Sequence, residues 1–377
     1  MTSSRRRPVQ ARSVAALVLW AGVPALALLS IAACAEADAT EVDAGDSSVV
    51  ARPPPTDEAS ILDGGAEAEA EASLPPCAVG NLCGVPLPLS IGHVVAMAGR
   101  SKNDVWASAS RGELLRWDGQ TWTKADSGGL DTFSNLFITP DELWGVSGNL
   151  VMRRGLEASS VRSFRLRERF IGMTGIAVLP SGEPYVSFGA TWNTTDPHDY
   201  LAKIQDFDTK TIQVVAAPVD PSTDRPLAMA ARALWLVPDE ALWLVGDRGR
   251  VVRYSVSPVG DGVVIPLDSQ VDLFAAWGEG THLWAGGSNG TILHFDGAAW
   301  HRETTGASAT INAIFGFSST DIWAAGDDGT ILHFDGTTWS TVPVAGYAGH
   351  LRTIWGSAPD DVWIGGELAM FHWGALP

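Results

Sequence analysis

The sequence predicts an all-β protein whose body is a β-propeller, and three observations carry that prediction. Residues 284–300, WAGGSNGTILHFDGAAW, and residues 323–339, WAAGDDGTILHFDGTTW, agree at twelve of seventeen positions without a gap. Trp243, Trp284, Trp323 and Trp363 follow one another at intervals of 41, 39 and 40 residues. Each unit alternates short apolar runs with turns such as Asn289-Gly290 and Asp335-Gly336, the punctuation of antiparallel hairpins. A period near 40 made of short strands is how propeller blades are written in sequence.

The chain opens differently. Arg5, Arg6, Arg7 and Arg12 precede an almost unbroken apolar run from Val14 to Ala33. A basic stretch, an apolar stretch and small residues before a cut site make a secretory signal over residues 1–33. Ile31-Ala32-Ala33-Cys34 resembles the bacterial lipobox, with Ile where Leu is usual. The resemblance implies that Cys34 is diacylated and anchors the exported protein to the envelope, at the outer membrane or cell surface.

Residues 35–76 carry eleven acids against the single base Arg52, with Pro53-Pro54-Pro55 and an alternating run of Ala and Glu at 67–71. Low hydrophobicity and like charge cannot offset chain entropy, so 34–76 is expected to be a disordered, self-repelling tether behind the lipidated cysteine. Residues 77–377 are then the head. Setting Cys34 aside leaves Cys77 and Cys83, which are expected to pair in an oxidising compartment.

Within the head, units begin near His93, Thr132, Ile171, Leu227, Val271, Thr310 and His350, which predicts seven four-stranded blades, with six or eight as the alternatives. Residues 311–317 illustrate an inner strand, and Asp327-Asp328-Gly329 supplies the positive-φ residue of a hairpin turn. The last unit ends before an outer strand, so residues 85–90 are expected to supply it and fasten the ring. A lone blade cannot bury both faces; its Trp residues must wedge against the neighbouring blade.

The repeat D-[VI]-W-x-x-G-x-x-G-x-I-x-H-F-D-G-x-x-W, as written at residues 321–339, resembles the BNR-like and regulator-type propeller repeats of bacterial exported proteins. The resemblance spans residues 92–377, strongly in the last three units and faintly in the second and third. It implies a scaffold, not an activity. The Asp335–Trp339 turn is also similar to the sialidase Asp-box, one residue short between Asp and Gly.

Several motifs that could carry chemistry read as structure. Gly286-Gly287-Ser288-Asn289-Gly290 matches G-x-S-x-G but falls in a hairpin turn, and the strand-to-helix context of a nucleophile elbow is missing. His294, His333 and His372 recur at one blade position, which marks packing residues rather than metal ligands. Asp104, Asp321 and Asp361 are expected to bond their own turns rather than hold calcium. Arg162, Arg165, Arg167 and Arg169 alternate as a solvated strand face. No cofactor or metal is expected.

The formal net charge is −18, with 43 acids and 25 bases, so nucleic acid is excluded as a partner. One insertion breaks the third unit between its second and third strands, at residues 189–199. Trp192, Asn193, Asp196, His198, Asp199 and the adjoining Tyr200 would make a stacking and hydrogen-bonding patch for a sugar or peptide. The reading that follows is a non-catalytic, lipid-anchored envelope protein with a monomeric head that binds a protein, peptide or glycan. The alternative is a glycan-active hydrolase or lyase of sialidase-like architecture.

Overall fold

The computed structural model describes residues 81–87 and 91–376, apart from 126, 128, 130, 159, 167–171, 190–197, 199 and 258. Seven four-stranded antiparallel sheets form a propeller, as the repeat predicts. Their inner strands are Val94–Ser101, Asn135–Ile138, Met173–Val178, Ala231–Val237, Leu273–Glu279, Ile311–Ser318 and Leu351–Ala358. Among the described residues the only helical segments are two single turns, Ser110–Gly112 and Asp247–Gly249.

The ring closes where the two ends of the described chain meet. Leu82–Gly84 pairs antiparallel with Ala369–Trp373, Leu82 opposite Trp373, and so becomes the outer strand of the seventh blade. The closing strand therefore lies just upstream of the predicted residues 85–90, of which Val85 still donates its amide to Met370 O at 2.8 Å and 88–90 lie outside the described residues. Alternation explains the shift: Val85 and Leu87 turn inward to pack against the cluster between the seventh and first blades. Cys83, in the closing strand, is disulfide-bonded; its expected partner Cys77 lies outside the described residues, as does Cys34.

The tight turns obey their local chemistry. Asn289 and Gly290 both take positive φ, 57° and 63°, as a two-residue hairpin turn requires. A Cβ on Gly290 would stand 2.0 Å from the Ala307 carbonyl oxygen, so only glycine fits. The G-x-S-x-G segment is thus a hairpin, with the Ser288 amide donating to Asp272 O at 3.0 Å.

Seven apolar clusters fill the seven spaces between neighbouring blades. Between the fifth and sixth, Trp277 and Trp284 pack on Ile314, Ile322 and Leu332. The second-strand tryptophans Trp106, Trp243, Trp323 and Trp363 are fully buried. Wedges of this size remove the most water per residue, which is why the repeat spends its aromatics here.

Each of these tryptophans is covered by a side chain of the third strand. His294 lies flat on Trp284, centroids 4.1 Å apart and planes 7° from parallel, and His333 stacks on Trp323 at 4.3 Å. His372 covers Trp363 at 4.4 Å, and Arg116 covers Trp106 at 5.2 Å. The recurrent histidines are therefore packing residues. An acid at the start of the second strand holds most of these covering groups. Asp321 takes a hydrogen bond from His333 (2.8 Å), Asp361 from His372 (2.8 Å) and Asp104 from Arg116 Nε (3.1 Å). The expectation that these Asp residues bond their own turns holds for two of them, since Asp361 also accepts from Ser357 Oγ and Asp104 from Arg100 Nε, each at 2.5 Å. Among the described residues Asp321 is held to its turn by no such side-chain bond. A carboxylate two residues before the Trp points to the same face of the sheet, so the diagonal cation or imidazole is within its reach.

Candidate binding site at the channel mouth

The inner strands surround a central channel, and a backbone irregularity decides what its mouth presents. In six blades the register between inner and second strand slips at the first turn of the inner strand, between Val94 and Ala96, Met173 and Gly175, Ala231 and Ala233, Leu273 and Ala275, Ile311 and Ala313, and Leu351 and Thr353. A bulge gives one extra residue per strand and re-aims its side chain. The extra residues are Val95, Thr174, Arg232, Phe274, Asn312 and Arg352, and all six line one cavity of about 340 Å³. Asn135 takes the corresponding place in the second blade.

Toward the far end the lining turns aromatic, with Phe137, Trp235, Phe315 and Trp355. Trp235 and Phe315 meet edge to face at 6.5 Å, and the Trp235 indole N–H donates to Gly278 O at 3.0 Å, so this floor is held in place. The mouth is therefore polar and cationic over an apolar floor, a combination that accepts an extended segment with a charged end and an apolar stem. Among the described lining residues there is no Asp, Glu, His, Cys, Lys or Tyr.

Much of the remaining polarity stitches the ring together. Asn135 Oδ1 accepts from Ile176 N at 3.1 Å, and Thr353 Oγ1 accepts from Met97 N at 3.1 Å across the seam between the seventh and first blades. Asn312 Nδ2 donates to Leu351 O at 3.0 Å and to Asp327 at 2.8 Å.

The predicted patch on the third-blade insertion is described only at its edges. Trp192, Asn193, Asp196 and Asp199 lie outside the described residues. His198 is half-buried. Tyr200 is 1 % exposed and belongs to the core between the third and fourth blades, where burial drives its hydroxyl pKa upward. Gly189, where the insertion begins, donates its amide to Gly172 O at 2.9 Å, at the start of an inner strand. Of the four alternating arginines, Arg162 pairs with Asp208, and Arg165 pairs with Asp131 at 2.8 Å; Arg167 and Arg169 lie outside the described residues. Among the described residues no group of three or more His, Cys, Asp or Glu is placed to hold a metal ion.

Arg232 and Arg352 leave no motif in the sequence, because each is the lone charged residue of its strand. Aligning the seven units on their inner strands would have exposed them. One column reads Val95, Asn135, Thr174, Arg232, Phe274, Asn312, Arg352, varied in chemistry between columns that are apolar or small apart from Ser134 and Thr353.

No family model and no curated protein matches the sequence. Solved structures do resemble it. YCF48 bound to D1 peptide superposes with a TM-score of 0.61 at 16 % identity, covering 80 % of this chain and 100 % of that one. A streptogramin B lyase gives 0.62 at 14 % identity, covering 77 % and 96 %. The extracellular domain of a hybrid two-component system from B. thetaiotaomicron gives 0.59 at 14 % identity, covering 78 % of this chain and 40 % of that one. At such identities the likeness is one of fold, and it places this chain among the β-propellers.

Proposed function

We propose that this protein is an exported, lipid-anchored binding head that captures a polypeptide segment at the mouth of its propeller channel. The observation that carries the reading is the ring of bulged residues, which turns one end of the channel into a cavity with a cationic rim and an aromatic floor. Propellers of this shape include YCF48 bound to D1 peptide and extracellular domains, which supports a role in recognition outside the cell. The lining also favours binding over turnover: hydrolases and lyases need groups that exchange protons near neutral pH, and guanidinium does not. Streptogramin B lyase has the same fold, which supports a catalytic propeller as the alternative; the sequence reading of that alternative is a glycan-active hydrolase or lyase.

In this reading Cys34 carries the lipid, residues 35–76 hold the head off the membrane, Cys77 pairs with Cys83, and the insertion at 189–199 adds contacts through Trp192, Asn193, Asp196, His198 and Asp199. Labelled palmitate should enter the wild type and not Cys34→Ala. The binding role is tested by probing the full chain on arrays of random peptides and of glycans. Capture of peptides without change to any glycan is the expected result, and turnover of a glycan would favour the alternative.

A further inference from the structure

Most of the polar side chains that line the channel are committed to the fold, and the two charged ones are not. Ser134, Asn135, Thr174, Asn312 and Thr353 all carry hydrogen bonds within or between blades. Arg232 and Arg352 are both exposed. Among the described residues neither side chain makes an ion pair or a hydrogen bond; the Arg232 guanidinium lies over the Phe274 ring, its Cζ 5.7 Å from the centroid. The chain has 43 acids for 25 bases, so a shortage of carboxylates does not explain two unpaired guanidiniums. They belong to the fourth and seventh blades and line the same cavity, which contains no negative group among its described residues.

A guanidinium is always charged and presents donors in a planar fork that matches a carboxylate. Two of them across one cavity, above an aromatic floor, set up a field that selects anions and leaves room for an apolar stem. We propose that Arg232 and Arg352 clamp carboxylates of an acidic peptide segment entering the mouth. The proposal rests on the peptide-binding reading and names the chemistry that site selects. The carboxylates come either from Glu and Asp side chains or from a chain terminus.

The test uses the full chain in detergent and three fluorescent dodecapeptides, read by anisotropy. One alternates Glu with Leu and Phe and is amidated; the second replaces every Glu by Gln; the third is the Gln peptide with a free C-terminal carboxylate. The Glu peptide should bind at least about tenfold tighter than the amidated Gln peptide. Arg232→Gln and Arg352→Gln should each weaken it by about tenfold, as loss of a charge-assisted bond does, and leave the amidated Gln peptide unaffected. Raising salt from about 50 to about 500 mM should erase most of the preference. If the free-terminus peptide alone responds to the arginine variants, the clamp holds and its carboxylate is terminal. Equal binding of all three peptides, unmoved by either variant, overturns the clamp while leaving the peptide-binding reading in place. Failure of every peptide on the random array removes that reading itself. Both variants should unfold at the wild-type denaturant midpoint, because neither side chain bonds the scaffold.

Discussion

Nδ1 of His282 lies 3.0 Å from Nε2 of His294, at the position where the sixth and seventh blades put Asp321 and Asp361 against their histidines. The fifth blade has thus exchanged a carboxylate for a second imidazole. Burial first, then the neighbouring His282 and His301, lower the His294 pKa to about 4, against a weak opposing pull from Asp296. The unfolded chain, with an ordinary histidine near 6.5, binds the extra proton first. Folding is therefore favoured above that pH and loses stability as pH falls from 6.5 toward 4.

His282→Asp should give His294 the carboxylate its sisters have and remove this loss. Between pH 7 and pH 5 the variant should gain about 1–2 kcal/mol relative to wild type. Denaturant titrations followed by tryptophan fluorescence at the two pH values measure it. A variant-minus-wild-type difference that does not change with pH would contradict the assignment.

Trp323 is fully buried and its indole N–H has no hydrogen-bond partner, so what it contributes is packing. Trp323→Ala should cost about 3–5 kcal/mol. Ser288→Ala, in the hairpin that resembles a nucleophile elbow, should lie within about 0.5 kcal/mol of wild type. Equal stability of the two variants would mean that the tryptophan wedges are not what holds the blades together.

Cys83 stands in the strand that closes the ring, paired across from His372. Alkylation before reduction should find no free thiol, and after reduction it should label two. Cys83→Ala should destabilise by at most about 2–3 kcal/mol, since the proposed loop to Cys77 is short. Loss should show first as fraying of the seventh blade, visible as faster amide exchange at residues 369–373. Unchanged exchange there would separate the disulfide from ring closure.

The blade count, the hairpin turns and the buried tryptophans were legible because each leaves a local mark. Trp spacing gives the period, and Asn289-Gly290 or Asp328-Gly329 gives the turn. The pairing of Asp321 with His333 was not legible, because it spans twelve residues and depends on hairpin register, which a turn motif alone does not place. The closing strand was misplaced for a related reason: Leu82–Gly84 owes its position to Ala369–Trp373, far along the chain. The channel arginines were hidden by the bulge. A strict two-residue alternation gives no hint that Arg232 is left without a partner between Ala231, opposite Gly246, and Ala233, opposite Val245.

The proposed entry of a polypeptide at the mouth of the channel is open to crosslinking. Its most direct test replaces Phe274, a lining residue, by benzoylphenylalanine and irradiates the full chain with a pool of random peptides. The same photoreactive residue at Val263, 58 % exposed on the outer strand Val259–Val264, serves as the control. Peptide adducts should form from position 274, diminish when Arg232 and Arg352 are both changed to Gln, and be absent from position 263. Adducts from position 263 with none from 274 would place binding on the outer rim and contradict the account.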